Sequence, residues 1–194
     1  MFDRKITLLI FAAMVLAQWY VPGSMILQRE ATIDKGQAFK FKCQPIDPID
    51  PFRGKYITLG FDADNYSFNS TIDDQLWSYG HLAYVTIKND ESDFARITGV
   101  SNTKPDAGAA FFQATIRGVS YIETDKKGSL TFEFPFNRFY MEESKAPLAE
   151  QLYGEQLSDS TSLVYGLVSI YKGNAVLTDV IINGQSIKEA VENM

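Results

Sequence analysis

Two hydrophobic patterns divide the chain, and the first is an apolar segment from Ile6 to Leu27. Arg4 and Lys5 precede this segment, and Arg29 ends it. At about 1.5 Å per residue, a helix of this length is just long enough to cross a hydrocarbon core of about 30 Å. We therefore predict a transmembrane signal-anchor within residues 1–29, with its positive start on the inner side of the membrane.

A cleaved signal peptide is the main alternative for this segment, with Val15–Ala17 as the small-residue cleavage site. The anchor is favoured because apolar residues continue past that site, and Trp19 and Tyr20 suit the far membrane interface. A buried helix of a globular domain is the remaining alternative. Either main interpretation exports the rest of the chain, which we predict to be one β-rich domain over residues 30–194.

Beyond the apolar segment, hydrophobic residues mostly alternate with polar ones, as in half-buried β-strands. Phe39, Phe41 and Cys43, for example, alternate with Lys40 and Lys42. The same pattern predicts strands at Tyr56–Phe61, His81–Lys88, Phe94–Val100, Phe111–Arg117, Val119–Glu123, Leu130–Phe134, Ser162–Tyr171 and Ala175–Ile182. Many short strands rich in Phe and Tyr predict a mainly β fold, either an antiparallel sandwich or a partly open barrel.

Turn and loop signals separate the predicted strands. Gly118 is expected to form a bulge or bend. Lys172-Gly173-Asn174 is a strong hairpin signal. Asp62–Tyr79 and Ser101–Gly108 are rich in turn-forming residues and are predicted to be surface loops.

One or two short helices are expected near the C-terminus. Ser144 is predicted to cap a helix over about Lys145–Leu157, with Pro147 in its first turn. Ser186 has capping-box spacing and should open a short final helix.

Composition excludes several classes of function. The 194 residues carry 18 Lys and Arg against 24 Asp and Glu, a net charge of -6. With no clustered basic stretch, such a chain is a poor candidate for nucleic-acid binding. One Cys and one His exclude an internal disulfide framework and multi-Cys or His-rich metal sites, and no cofactor is expected. Cys43 is expected to be a small hydrophobe on a strand, and His81 to lie at a strand end.

A proline-rich segment over residues 45–54 holds the chain extended and carries three charged side chains that could converge. Glu143 and Glu150 lie seven residues apart and would share a helix face if the helix began early enough. Together with two tyrosines these residues predict a binding rim, consisting of Asp47, Asp50, Arg53, Tyr56, Tyr140, Glu143 and Glu150. Local turn capping and the helix dipole are the structural alternatives, and calcium binding is a further one.

Ser24 and Lys88 define an alternative catalytic hypothesis. A serine just outside the membrane, activated by a desolvated lysine, hydrolyses peptides in Ser-Lys dyads. The Ser24-Met25 pair faintly resembles the motif of type I signal peptidases. The fuller pattern after the serine is missing, and Lys88 has no basic neighbour in sequence.

The segment Gly54–Phe61, GKYITLGF, resembles the signature of the GDYXXLXY family of bacterial membrane-anchored proteins. Lys55 stands in place of the signature Asp, and Phe61 in place of its last Tyr. Arg138–Tyr140 is similar to the family's later aromatic motif, and the hairpin that ends at Gly184 is similar as well.

The resemblance implies a single-anchor protein with a domain outside the cytoplasmic membrane, and a multi-span membrane protein as its partner. It supplies no catalytic residues. From the sequence we predict a membrane-anchored protein of the cell envelope, in the periplasm or outside the cell, that acts as a non-catalytic accessory or binding domain. A membrane-anchored Ser-Lys hydrolase is the alternative.

Overall fold

The apolar segment forms part of a single long helix, α1 (Arg4–Lys35). The computed structural model describes residues 4–45, 56–69, 77–106, 108–122 and 127–193. Helix α1 is long and apolar enough to cross a membrane, and a signal sequence near an N-terminus meets the same criteria. It continues to Lys35, beyond the apolar residues, so no loop separates the apolar segment from the first strand.

The alternating pattern folds into short strands, and two more helices follow late in the chain. Within the described residues the strands are β1 (Gln37–Gln44), β2 (Tyr56–Thr58), β3 (Gly60–Phe61), β4 (Asn65–Asn69), β5 (Leu82–Asn89), β6 (Ala95–Ser101), β7 (Ala110–Ile122), β8 (Lys127–Glu133), β9 (Arg138–Tyr140), β10 (Val164–Tyr171), β11 (Asn174–Ile182) and β12 (Gln185–Ser186). The later helices are α2 (Ala146–Ser158) and α3 (Ile187–Glu192).

The strands form two larger antiparallel sheets and one small one. The first sheet has the order β12-β11-β10-β1-β3, and the second has the order β4-β8-β7-β5-β6. Strands β2 and β9 pair separately, and a bridge between Phe112 and Gly173 links the two larger sheets. The sheets together approach a closed barrel, which confirms the predicted mainly β fold.

Five phenylalanine rings fill the space between the sheets. They are all nearly inaccessible to solvent, and they are Phe41, Phe61, Phe112, Phe134 and Phe136. The Phe41 ring contacts the other four, at centroid distances from 5.0 to 6.1 Å. Most of these pairs are edge-to-face or tilted, the arrangements that aromatic quadrupoles favour. We call this group the phenylalanine cluster.

Several local predictions are confirmed. The pairing of β7 with β8 shifts register between Ile116 and Gly118, so the expected bulge is present. Strands β10 and β11 form the predicted hairpin, in which Tyr171 pairs with Asn174. Ser186 caps α3 by accepting a hydrogen bond from the backbone N–H of Lys188 at 3.3 Å.

One strand prediction and one loop prediction are wrong in detail. The segment Tyr56–Phe61 divides at Leu59 into β2 and β3, because β2 pairs with β9 whereas β3 pairs with β1. The Leu59 N–H donates to the Asn137 carbonyl at 2.8 Å, where the β2–β9 pairing ends. The predicted loop Asp62–Tyr79 contains β4, which pairs with β8. Tyr66 and Phe68 alternate with polar residues there, and this short strand-like pattern is what the turn-rich composition concealed.

The predicted cap of α2 is also wrong. Lys145 occupies the N-cap position without a capping side-chain hydrogen bond, and the helix begins at Ala146. Pro147 lies in the first turn as expected, where its missing N–H is not needed. The inner face of α2 buries Ala146, Ala149 and Tyr153.

The last turns of α1 are fastened to the β10–β11 hairpin. Thr32 is fully buried, and its carbonyl accepts a hydrogen bond from the Ser169 hydroxyl at 2.6 Å. The Gln28 amide donates to the Asn174 side-chain oxygen at 2.9 Å. A Cβ atom at Gly36 would overlap the Ser169 hydroxyl and the Thr32 carbonyl, so only glycine fits where α1 turns into β1. We call this contact region the helix junction.

Replacement of Phe41 by Ala should lower the free energy of unfolding by about 3–5 kcal/mol, because it removes a ring from the centre of a packed core. Chemical denaturation of the full-length protein in detergent micelles measures this loss. Phe94→Ala is the matched control, because Phe94 is only half-buried and its ring contacts Tyr165 at the surface. Equal losses for the two variants would contradict a central role for the phenylalanine cluster.

Replacement of Gly36 by Ala should loosen the helix junction, because the added methyl group meets backbone as well as the Ser169 side chain. We expect a lower melting temperature and faster proteolysis near Lys35. Gly154→Ala is the control, since Gly154 lies inside α2 with open space around it. That change should leave the protein as stable or add about 0.5–1 kcal/mol. Unchanged proteolysis in Gly36→Ala would contradict the tight junction.

Candidate binding cleft

Two motifs that are far apart in sequence form the small β2–β9 sheet. Tyr56 pairs with Tyr140, and the next pairs are Ile57 with Phe139 and Thr58 with Arg138. Ile57 and Phe139 are buried, so the alternation places the two tyrosines on the outer face. Their rings are 5.4 Å apart. The Arg138 guanidinium lies 5.0 Å from the Tyr56 ring centroid, within cation–π range.

A cleft of about 640 Å³ opens beside this small sheet. Its walls come from α1, β5, β7, the segment 133–140 and β11. Phe134 and Phe136 of the phenylalanine cluster also line it. We call it the rim cleft, and the lining side chains used below are Arg29, Leu82, Gln113, Glu133, Asn137, Arg138 and Tyr140.

Positive charge is in excess among the described residues that line the rim cleft, although the chain as a whole is acidic. Glu133 forms an ion pair with Arg117 and accepts a hydrogen bond from Asn137 at 3.5 Å. Hydrogen bonds to Tyr79 and Glu133 raise the pKa of Arg117. Among the described residues, no carboxylate forms an ion pair with Arg29 or Arg138. The cleft therefore favours groups that carry negative charge.

Exposed apolar surface borders these arginines. Tyr140 is 57% exposed and Leu82 is 63% exposed, and both line the rim cleft. Aromatic and arginine side chains contribute most of the energy at protein interfaces, which makes this combination suited to binding.

The structure brings together only part of the predicted rim. Tyr56 and Tyr140 are adjacent, as described above. Glu143 lies in the turn before α2, whereas Glu150 lies on α2 and is exposed. Because the helix begins after Glu143, the expected shared helix face does not form. The other three members, Asp47, Asp50 and Arg53, lie outside the described residues.

No hydrogen bond joins Ser24 to Lys88 in the structure. The Ser24 hydroxyl donates to the Val21 carbonyl of its own helix at 2.7 Å. Lys88 is exposed near the end of β5, six residues and about 20 Å along an extended strand from Leu82 in the rim cleft. A Ser-Lys dyad needs a desolvated lysine against the serine, so no contact supports this hypothesis.

Other candidate chemistry is equally sparse. Within the described residues, no group of three or more His, Cys, Asp and Glu side chains is arranged to hold a metal ion. His81 is exposed just before β5, as expected for a strand-end histidine. Cys43 is a free, buried thiol. Its burial raises the pKa of the thiol to about 12, so the thiolate nucleophile is disfavoured at neutral pH.

The model of the family described as GDYXXLXY protein matches residues 18–180. The chain belongs to the GDYXXLXY family. No curated protein and no solved structure shows significant similarity to it.

The GDYXXLXY signature has a structural role in this chain. Leu59 and Phe61 are buried, and Phe61 belongs to the phenylalanine cluster. Tyr56 instead lies on the outer face of the β2–β9 sheet, beside Tyr140. The signature thus connects the core to the outer face of the small sheet beside the rim cleft.

Sequence reasoning missed several residues of the rim cleft. Arg138 belongs to the aromatic motif Arg138–Tyr140. Its position over the Tyr56 ring depends on the pairing of β2 with β9, which are 80 residues apart in the chain. Arg29 ends the apolar segment, and it lines the cleft because the last turns of α1 pack on the β10–β11 hairpin. Leu82 lies on the face of β5 opposite the buried Ala83 and Val85, and its sequence does not distinguish it from an ordinary exposed apolar residue.

The native Cys43 thiol should resist iodoacetamide at pH 9, whereas the unfolded thiol should react readily. Since folding raises the pKa of Cys43 from about 8.5 in an exposed thiol to about 12, the unfolded state ionises first as the pH rises. The free energy of unfolding should therefore fall between pH 9 and 12. Cys43→Val should lessen that fall. Equal labelling rates in buffer and in urea would contradict the burial of the thiol.

Proposed function

We propose that this GDYXXLXY protein is a membrane-anchored accessory domain of the cell envelope. Helix α1 remains in the cytoplasmic membrane, and the β domain lies outside it. The rim cleft binds a multi-span membrane protein through an acidic and apolar segment. The observation that carries the proposal is that Arg29, a residue of α1 itself, forms part of the cleft wall.

The position of Arg29 supports a binding site at the membrane surface. Arg29 is two residues past Leu27, which is about 3 Å along the helix axis. A partner that lies against α1 in the same bilayer would reach the rim cleft without a long extension. The helix junction supports the same geometry, because it joins the proposed membrane helix to the domain without a flexible linker.

Binding is preferred over catalysis on the chemistry of the described residues. The cleft offers Arg29 and Arg138 for carboxylates, and Tyr140 and Leu82 for apolar contact. The candidate nucleophiles are less suitable, because Cys43 is buried and Ser24 is bonded to its own helix. Asp47, Asp50 and Glu143 of the predicted rim remain part of the proposal as a second set of contact residues.

A photo-crosslinking amino acid at Tyr140 or Leu82 tests the proposal in membranes of the native host. We expect one multi-span protein to be crosslinked from both positions. The double variant Arg138→Glu, Tyr140→Ala should reduce capture of that protein at least tenfold, with the circular dichroism spectrum unchanged. Charge reversal at Asp50 and Glu143 is compared in parallel and should also abolish capture if the acidic rim takes part.

The matched control is the same crosslinker at Lys42, an exposed position on β1 outside the cleft. Capture from Lys42 equal to capture from Tyr140 would contradict the proposed interface. Intact-mass analysis of the recovered protein tests the anchor separately. A mass lacking residues 1–17 would overturn membrane anchoring, whereas a full-length mass supports it.

A further inference from the structure

A second depression lies on the other side of the β10–β11 hairpin tip. Its volume is about 700 Å³, and its lining includes Lys35, Lys104 and Lys172 together with Phe111 and Tyr171. We call it the lysine pocket. It shares only Gly173 with the small groove that extends the rim cleft along α1, so the hairpin tip separates two distinct depressions.

The three lysines have no acidic partner among the described residues. Within that part of the chain the pocket lining contains no Asp or Glu, and none of the three ammonium groups forms an ion pair. Lys40 and Lys145 behave differently, because each pairs with a carboxylate at less than 3 Å. Three unpaired cations around one pocket, in a chain of net charge -6, fit an anion.

Aromatic faces hold two of these cations at the pocket. The Lys104 ammonium lies 5.9 Å from the Phe111 ring centroid, and the Lys172 ammonium lies 5.1 Å from that of Tyr171. Cation–π contacts of this kind orient an ammonium group without neutralising it. Both ammonium groups therefore remain available to a ligand.

The backbone at the hairpin tip places a lysine where the turn disfavours one. Lys172 has φ +51° and Gly173 has φ +93°, as in a two-residue turn that prefers Asn-Gly. A Cβ atom at Gly173 would come within 2.8 Å of the Phe111 ring, so the tip is seated directly on the pocket wall. Strained positions of this kind are typical of functional sites.

The hairpin tip also lies close to the end of the apolar part of α1. Asn174 accepts a hydrogen bond from Gln28, the first residue after Leu27. Lys172 is two residues from Asn174 and therefore lies near the level where α1 leaves the hydrocarbon core. Lipid phosphates occupy that level, and long lysine side chains reach toward it.

We propose that the lysine pocket binds the phosphate of an anionic phospholipid from the membrane that α1 crosses. A lipid headgroup and free phosphate would both place a phosphate among the three ammonium groups. The ligand proposed here is the lipid. The inference rests on the proposed function in one respect, namely that α1 stays in the membrane.

The test uses full-length protein in an uncharged detergent, titrated with phosphatidylglycerol or phosphatidylcholine and followed by native mass spectrometry. We expect saturable binding of one phosphatidylglycerol, and at least tenfold weaker binding of phosphatidylcholine. The double variant Lys104→Gln, Lys172→Asn should weaken phosphatidylglycerol binding at least tenfold. Its melting temperature should not fall, because Asn suits the turn better than Lys.

The control is Lys42→Gln, Lys127→Gln, which removes the same charge from exposed positions outside the pocket. Weakening equal to that of the pocket variant would show a net-charge effect and overturn the proposal. Displacement of the lipid by inorganic phosphate at equal concentration would identify a soluble ligand and also overturn it. The anchor is tested separately by the intact mass of the protein recovered from its host. If that protein lacks residues 1–17 and the full-length protein still binds phosphatidylglycerol, the membrane anchor is overturned and the phosphate site in the lysine pocket is supported.

Discussion

The packing of four phenylalanine rings around Phe41 is the constraint on which the rest of the structure depends. It draws residues from β1, β3, β7 and the turn after β8 to one point between the sheets. Space beside Phe61 is tight as well, since a Cβ atom at Gly166 would lie 3.0 Å from the Leu177 side chain and 3.1 Å from the Phe61 ring. Phe134 and Phe136 reach both the core and the rim cleft. The packing that stabilises the barrel therefore also fixes the shape of the candidate site.

The helix junction gives the fold its second constraint. Thr32 is a polar residue in a fully buried position, and its carbonyl satisfies the hydroxyl of Ser169, the other buried polar residue of the described core. Burial of these two polar groups costs little free energy only while the hydrogen bond between them is kept. Helix α1 therefore has one preferred orientation on β10. Both depressions next to the hairpin use residues of α1 as walls, and their shapes follow from this orientation.

Sequence patterns predicted the fold better than the site. Alternation identified β1, β5, β6 and the β10–β11 hairpin, because each has one buried face. It failed at β4, where a short strand lies among turn-forming residues, and at Leu59, where the chain leaves the pairing with β9 and begins to pair with β1. Of the described residues in the predicted binding rim, only Tyr140 lines the rim cleft. Arg29 and Leu82 meet there through contacts between distant segments, which no local pattern reports.

One consequence of the helix junction concerns affinity. If α1 and the rim cleft contact the same integral membrane protein, the two contacts are made by one stiff body. Binding of the helix then places the cleft next to its target at a high effective concentration. The conformational entropy that a flexible linker would lose on binding is not lost here. Each contact can be weak by itself, in the millimolar range, while the pair gives avidity. A domain cut from its helix would then lose most of its apparent affinity, although its cleft remained intact.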